Sequence, residues 1–83
     1  MELKDTVELM LSADYRDRFK AEYWQLKIRA DRLRTMLAKY QSKELDFTPD
    51  CDYYTLHKQW RAMNEYLECL ERRAGIEKVK LYA

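Results

Sequence analysis

The sequence predicts an all-α fold: an antiparallel helical hairpin, a long basic helix followed by a shorter acidic one, with a short N-terminal helix, assembled into an oligomeric bundle. Apolar or small residues recur at Phe19, Tyr23, Leu26, Ala30, Leu33, Leu37 and Tyr40, alternating steps of four and three. The same step returns at Leu56, Trp60, Met63, Leu67, Leu70 and Ala74. A single glycine and a single proline in 83 residues leave few places where a helix can break. The chain reads as one small helical domain, 1–83, with helices over about residues 4–11, 13–42 and 53–74.

The first element is "KDTVELML", in which Asp5 can cap a short helix and Leu3, Val7, Met10 and Leu11 form a small apolar face. Ser12 or Asp14 then caps the long helix, since either side chain can accept from the free amides of a first turn. At about 1.5 Å per residue this helix is on the order of 45 Å long, too long for a compact monomer of this size. The connection "SKELDFTPDCD" carries Pro49 and the acidic residues Asp50 and Asp52, either of which can cap the third helix. Gly75 stands where a left-handed residue would close that helix, and Arg72 and Arg73 then fall in its last turn, opposite the negative end of the helix dipole. "IEKVKLYA" alternates apolar and charged residues as an edge strand or an ordered tail would.

Phe19, Tyr23, Leu26, Leu33, Leu37, Leu56, Trp60, Met63, Leu67 and Leu70 are therefore expected at the helix seam or an oligomer interface. Trp24 and Ile28 broaden the apolar face beyond the seam, and Tyr53, Tyr54 and Tyr66 do the same on the third helix. That surplus predicts self-association into a dimer or higher bundle. The alternative is that the first helix and the C-terminal tail cover Trp24 and Ile28 within one chain.

Charge is divided along a chain whose net charge is only +1. Arg16, Arg18, Lys20, Lys27, Arg29, Arg32, Arg34, Lys39 and Lys43 face only Asp17, Glu22 and Asp31 in the long helix, whereas Glu44 to Glu71 is acidic apart from Lys58 and Arg61. One reading pairs the two helices through ion pairs beside the seam. The other takes Arg29, Arg32 and Arg34 as an anion site, because guanidinium groups grip phosphates bidentately, and adds Trp24, Tyr53 and Tyr54 as partner-binding aromatics. Binding to duplex nucleic acid is disfavoured, since there is neither a basic excess nor a DNA-reading module.

No catalytic residue is assigned. His57, Cys51 and nearby carboxylates match no catalytic motif, and the chain carries neither a phosphate loop nor a nucleophile elbow. No metal site and no cofactor are expected, because Cys51, Cys69 and the single His57 fit no ligand spacing. Cys69 is expected as a buried thiol, Cys51 as an exposed loop residue. No leader and no membrane span is seen, so the chain is read as soluble, made in a reducing cytoplasm.

The stretches "KDTVELMLSADYRDRFKAEYWQLKIRADRL", "LDFTPDC" and "QWRAMNEYLECLERRA" resemble a group of small uncharacterised proteins of tailed phages and prophages of gut bacteria, known by relation to a protein of a crAss-like phage. The echo is clearest at Gln59, Met63, Tyr66, Leu67, Leu70 and Arg73. The resemblance implies a phage origin and the cytoplasm of a bacterial host, and it brings no binding residues with it. Together these observations lead to a non-enzymatic counter-defence or host-takeover protein that binds a host immune protein. The alternatives are an oligomeric sponge for a signal nucleotide and a structural or assembly protein of the phage.

Overall fold

A computed structural model of the protein describes residues 1–82, and within them the chain is all-helical, with a long helix packed against a second one. The N-terminal segment opens as a 3-10 turn, Leu3–Thr6, and becomes α-helical only over α1, Val7–Met10. Asp5 sits inside that turn rather than ahead of it, accepting from the Glu2 N–H at 2.8 Å. The Thr6 hydroxyl donates to the Leu3 carbonyl at 2.7 Å, a three-residue step that suits the tighter coil.

Helix α2 spans Tyr15–Gln41, and the molecule measures 43 Å along its longest axis. Asp14 caps it, accepting from the Arg16 N–H at 2.9 Å. Ser12 braces the cap instead, donating to Asp17 at 2.8 Å. At the far end Lys43 takes a left-handed conformation, φ 63°, and the Glu44 N–H donates back to the Lys39 carbonyl at 2.8 Å.

Helix α3 spans Tyr53–Glu77 and is capped by Asp52, which accepts from the Thr55 N–H at 3.0 Å and from its hydroxyl at 2.7 Å. Those two bonds, the hydroxyl first, hold the Asp52 carboxyl below the ordinary aspartate range. The expected stop at Gly75 is corrected: α3 runs on through it, and the left-handed residue is Lys78, φ 57°. The cause lies in the last turn. Glu77 is held by Arg73 at 2.9 Å and by the Tyr15 hydroxyl at 2.7 Å, while Val79 is buried and its N–H donates to the Ala74 carbonyl at 2.9 Å. These contacts exist only if the chain turns after Glu77, so Arg72 and Arg73 are not terminal residues. Residues 79–82 carry no strand structure.

The core joins the first half of α2 to the second half of α3: Phe19, Tyr23, Ala30, Leu67, Leu70, Ala74 and Val79, with Trp24, Leu26, Met63 and Leu81 packed against them. Both ends of the chain cover this half. Gln25 on α2 donates to the Thr6 hydroxyl at 3.0 Å, docking the N-terminal turn. On the tail, the Leu81 carbonyl accepts from the Trp24 indole at 3.0 Å, and the Tyr82 ring meets Trp24 edge-on at 5.0 Å. The covering of Trp24 within one chain is thus the arrangement found, and Ile28 is half-buried.

The other half of the hairpin, near the connection, is thinner. Leu37 is buried there, but Leu33, Met36, Tyr40, Leu56 and Trp60 remain half-buried, because no third layer lies on them. The seam therefore grades from a closed core to a two-helix ribbon.

Pairing of the basic helix with the acidic one is also corrected. The ion pairs among the described residues are Lys4–Glu2, Lys27–Asp31 and Arg73–Glu77, each within one segment. Tyrosines link the helices instead. Tyr66 donates to Glu22, and the fully buried Tyr23 donates to Glu71 at 3.1 Å while sharing a bond with the Tyr82 hydroxyl. Burial first, then these bonds, push the Tyr23 phenol well above its ordinary value, and the bond to Glu22 raises Tyr66. Arg73 reaches the Tyr15 hydroxyl and lies 4.9 Å over the Phe19 ring. At the buried Tyr23 position a phenol costs less desolvation than a cationic partner would require.

Candidate functional site

Arg29, Arg32, Arg34 and Lys39 are exposed, and among the described residues none of them lies in ion-pair reach of a carboxylate. The three arginines do not converge, however. At about 100° of turn per residue, Arg32 and Arg34 point roughly 160° apart on the helix. Arg29 lines a groove with Gln25, Gln59 and Tyr66; Arg32 lines another with Met36, Lys39 and Phe47; Arg34 lines a third with Ala38 and Ser42. A single anion site built from all three within one chain is excluded by this geometry.

Aromatic groups gather at the open end of the hairpin. Tyr40 on α2 meets Tyr53 at 5.4 Å, Tyr53 stacks on His57 at 5.7 Å with 27° between the ring planes, and His57 meets Trp60 at 5.6 Å. These half-buried rings form a continuous ladder across the seam. Beside it on α3 lies an open groove of about 280 Å³, lined by Tyr54, His57, Lys58 and Arg61 with Ala62 and Glu65. The spacing puts them on one face, since positions three, four and seven apart are helical neighbours. Tyr54 is 74% exposed. Lys58 and Arg61 have no carboxylate in ion-pair reach among the described residues.

Aromatic faces beside free cations offer a stacking platform with charge at its edge, which is what a flat anionic ligand needs. Tyr53 and Tyr54, candidates from sequence, belong to this region, whereas Trp24 is held under the tail. His57, Lys58 and Arg61 were missed. The acidic balance of the segment hid the two cations, although their spacing from Tyr54 was readable. Cys69 is exposed rather than buried, because the seam of α3 runs through Leu67 and Leu70 and turns Cys69 outward; Cys51 is exposed as expected. Among the described residues no cluster of three or more histidine, cysteine or acidic side chains is placed to hold a metal ion, and no helix is long and apolar enough to cross a membrane.

No curated protein and no solved structure matches the chain. A family model does, and the residues that it matches begin just before the Asp14 cap and end in the last turn of α3, taking in both long helices, the connection and every residue of the groove. With residues 13–76 matched, more than three quarters of its length, the chain belongs to the Sequestin family.

Proposed function

We propose that this protein is a non-enzymatic, phage-encoded binding protein that acts in the cytoplasm of a bacterial host by sequestering a small signal nucleotide of the host's defence. The groove on α3 is the observation that carries this reading: exposed Tyr54 and half-buried His57 flank Lys58 and Arg61, two cations without a carboxylate partner among the described residues. The family's description, Sequestin, supports a sequestering role and moves the nucleotide ahead of a host immune protein as the target. Stacking of one base on Tyr54 or His57 would contribute on the order of 1 to 3 kcal/mol, and Arg61 would hold a phosphate through paired hydrogen bonds. Retention without chemistry suffices for such a role, since a ligand held tightly is withdrawn from its receptor.

Calorimetric titration with cyclic dinucleotides and nucleotide-ribose signals tests the reading, alongside Lys58→Ala/Arg61→Ala and Tyr54→Ala variants. Binding by the wild type, weakened at least tenfold in the double variant, is the expected result. Absence of binding to all of them, with a stable complex formed instead with a purified defence protein, would replace the nucleotide by a protein target.

A further inference from the structure

The open half of the hairpin has a second groove, on the other helix, of about 390 Å³, and its chemistry differs from that of the first. One wall is basic, from Arg32 and Lys39 on α2; the other is acidic, from Glu44 and Asp46 in the connection. Met36 and Leu45, both half-buried, line it between them, and Phe47 stands at its edge 55% exposed. Opposite charges share this groove, yet among the described residues no ion pair joins Arg32 or Lys39 to Glu44 or Asp46. An exposed phenylalanine next to an apolar strip and unpaired charges of both signs is a surface that complements itself.

A two-fold axis makes one patch meet its own copy in reverse. The basic wall of one chain then faces the acidic wall of the other, and each Phe47 comes against the Met36 and Leu45 strip opposite. We propose that this groove is where a second copy of the chain docks, forming a two-fold dimer through Arg32, Met36, Lys39, Glu44, Asp46 and Phe47. The same contact would add a layer over half-buried Met36 and Leu45 in the thin half of the hairpin. The two chain ends pack on the closed half through Gln25–Thr6 and Trp24–Leu81, so neither lies across this groove. The proposal stands apart from the ligand reading, because Tyr54, Lys58 and Arg61 lie on α3 and line a different groove.

Charge swapping tests it. Two variants of the full chain, Arg32→Glu/Lys39→Glu and Glu44→Lys/Asp46→Lys, each give a pairing surface of one sign. Light scattering on a sizing column at concentrations on the order of 100 µM is expected to show the wild type as a dimer, each variant alone as a monomer, and their equimolar mixture as a dimer again. Phe47→Ala is expected to weaken the wild-type dimer at least tenfold, with helix content by circular dichroism unchanged. A wild type that stays monomeric overturns the proposal. So does a mixture that fails to pair although both variants are folded, since charges satisfied across the groove within one chain would give that result.

Discussion

Replacing one leucine in each half of the hairpin measures how far the core extends. Leu70 is 1% exposed at the centre of the closed half, among Phe19, Tyr23, Leu67 and Ala74. Leu56, on the same seam of α3 near the connection, is half-buried. Truncating a leucine enclosed on all sides removes its transfer energy and leaves a cavity, about 3 kcal/mol together. Truncating one with an open side loses only part of the first quantity and leaves no closed cavity, about 1 kcal/mol. A domain of this length has a total stability on the order of 4 to 12 kcal/mol, so Leu70→Ala takes away a large share and lowers the melting temperature by roughly 12 °C or more. Urea titrations followed by circular dichroism, in dilute solution where no second copy assists, give both values. Equal costs for the two substitutions, or a larger one for Leu56→Ala, would refute the division of the hairpin into a closed and an open half. Repeating the Leu56→Ala measurement at high protein concentration adds a second comparison: a cost that grows with concentration identifies a residue made more buried by pairing.

Ending the chain after Lys78 removes Val79, Leu81 and Tyr82; the expected loss is about 3 kcal/mol, and Trp24 emission should shift to the red as its indole loses the Leu81 carbonyl and the Tyr82 ring. Asp52→Ala should lower the melting temperature more at pH 7 than in acid: the folded carboxyl titrates below its unfolded value, so the ionised cap's extra contribution is present above about pH 4 and is lost as pH falls through the folded value. Lys43→Gly and Lys78→Gly should each stabilise the protein by about 1 kcal/mol in thermal unfolding, because both lysines hold left-handed backbone that glycine adopts freely. A thiol reagent should label both Cys51 and Cys69 in the native protein as fast as in the unfolded chain, since both are exposed.

The helices were readable because their periodicity reports burial directly: Phe19, Tyr23 and Leu37 on α2 and Leu67, Leu70 and Ala74 on α3 are buried on the predicted stripes. Gly75 misled because a glycine permits a left-handed turn without requiring one, and contacts of Glu77 and Val79 that lie outside the local pattern decided where α3 stops. The charge pattern misled for a related reason. Composition counts arginines and glutamates, but it does not tell which partner a carboxylate takes once a phenol can reach it, and Glu22, Glu71 and Glu77 all face tyrosines. The same local outlook made Arg29, Arg32 and Arg34 look like one cluster, when helical rotation disperses them. The groove at Lys58 and Arg61 escaped notice because two cations in an acidic segment read as a minority, although what matters at a site is the face they share.

The two halves of the hairpin use their aromatic side chains differently. In the closed half, Tyr15, Tyr23 and Tyr66 bond to carboxylates across the seam and Arg73 lies over Phe19, while Arg16, Arg72, Lys78 and Lys80 stay exposed at its surface. In the open half the aromatic rings contact one another, while Arg32, Lys39, Lys58 and Arg61 have no carboxylate in reach among the described residues. A seam needed only for stability would gain from closure along its whole length, since each half-buried Leu33, Leu56 or Trp60 forgoes part of its burial energy. The open half keeps apolar strips and free cations side by side on both helices. That combination suits two occupants at once, a flat anion on α3 and a second chain on α2.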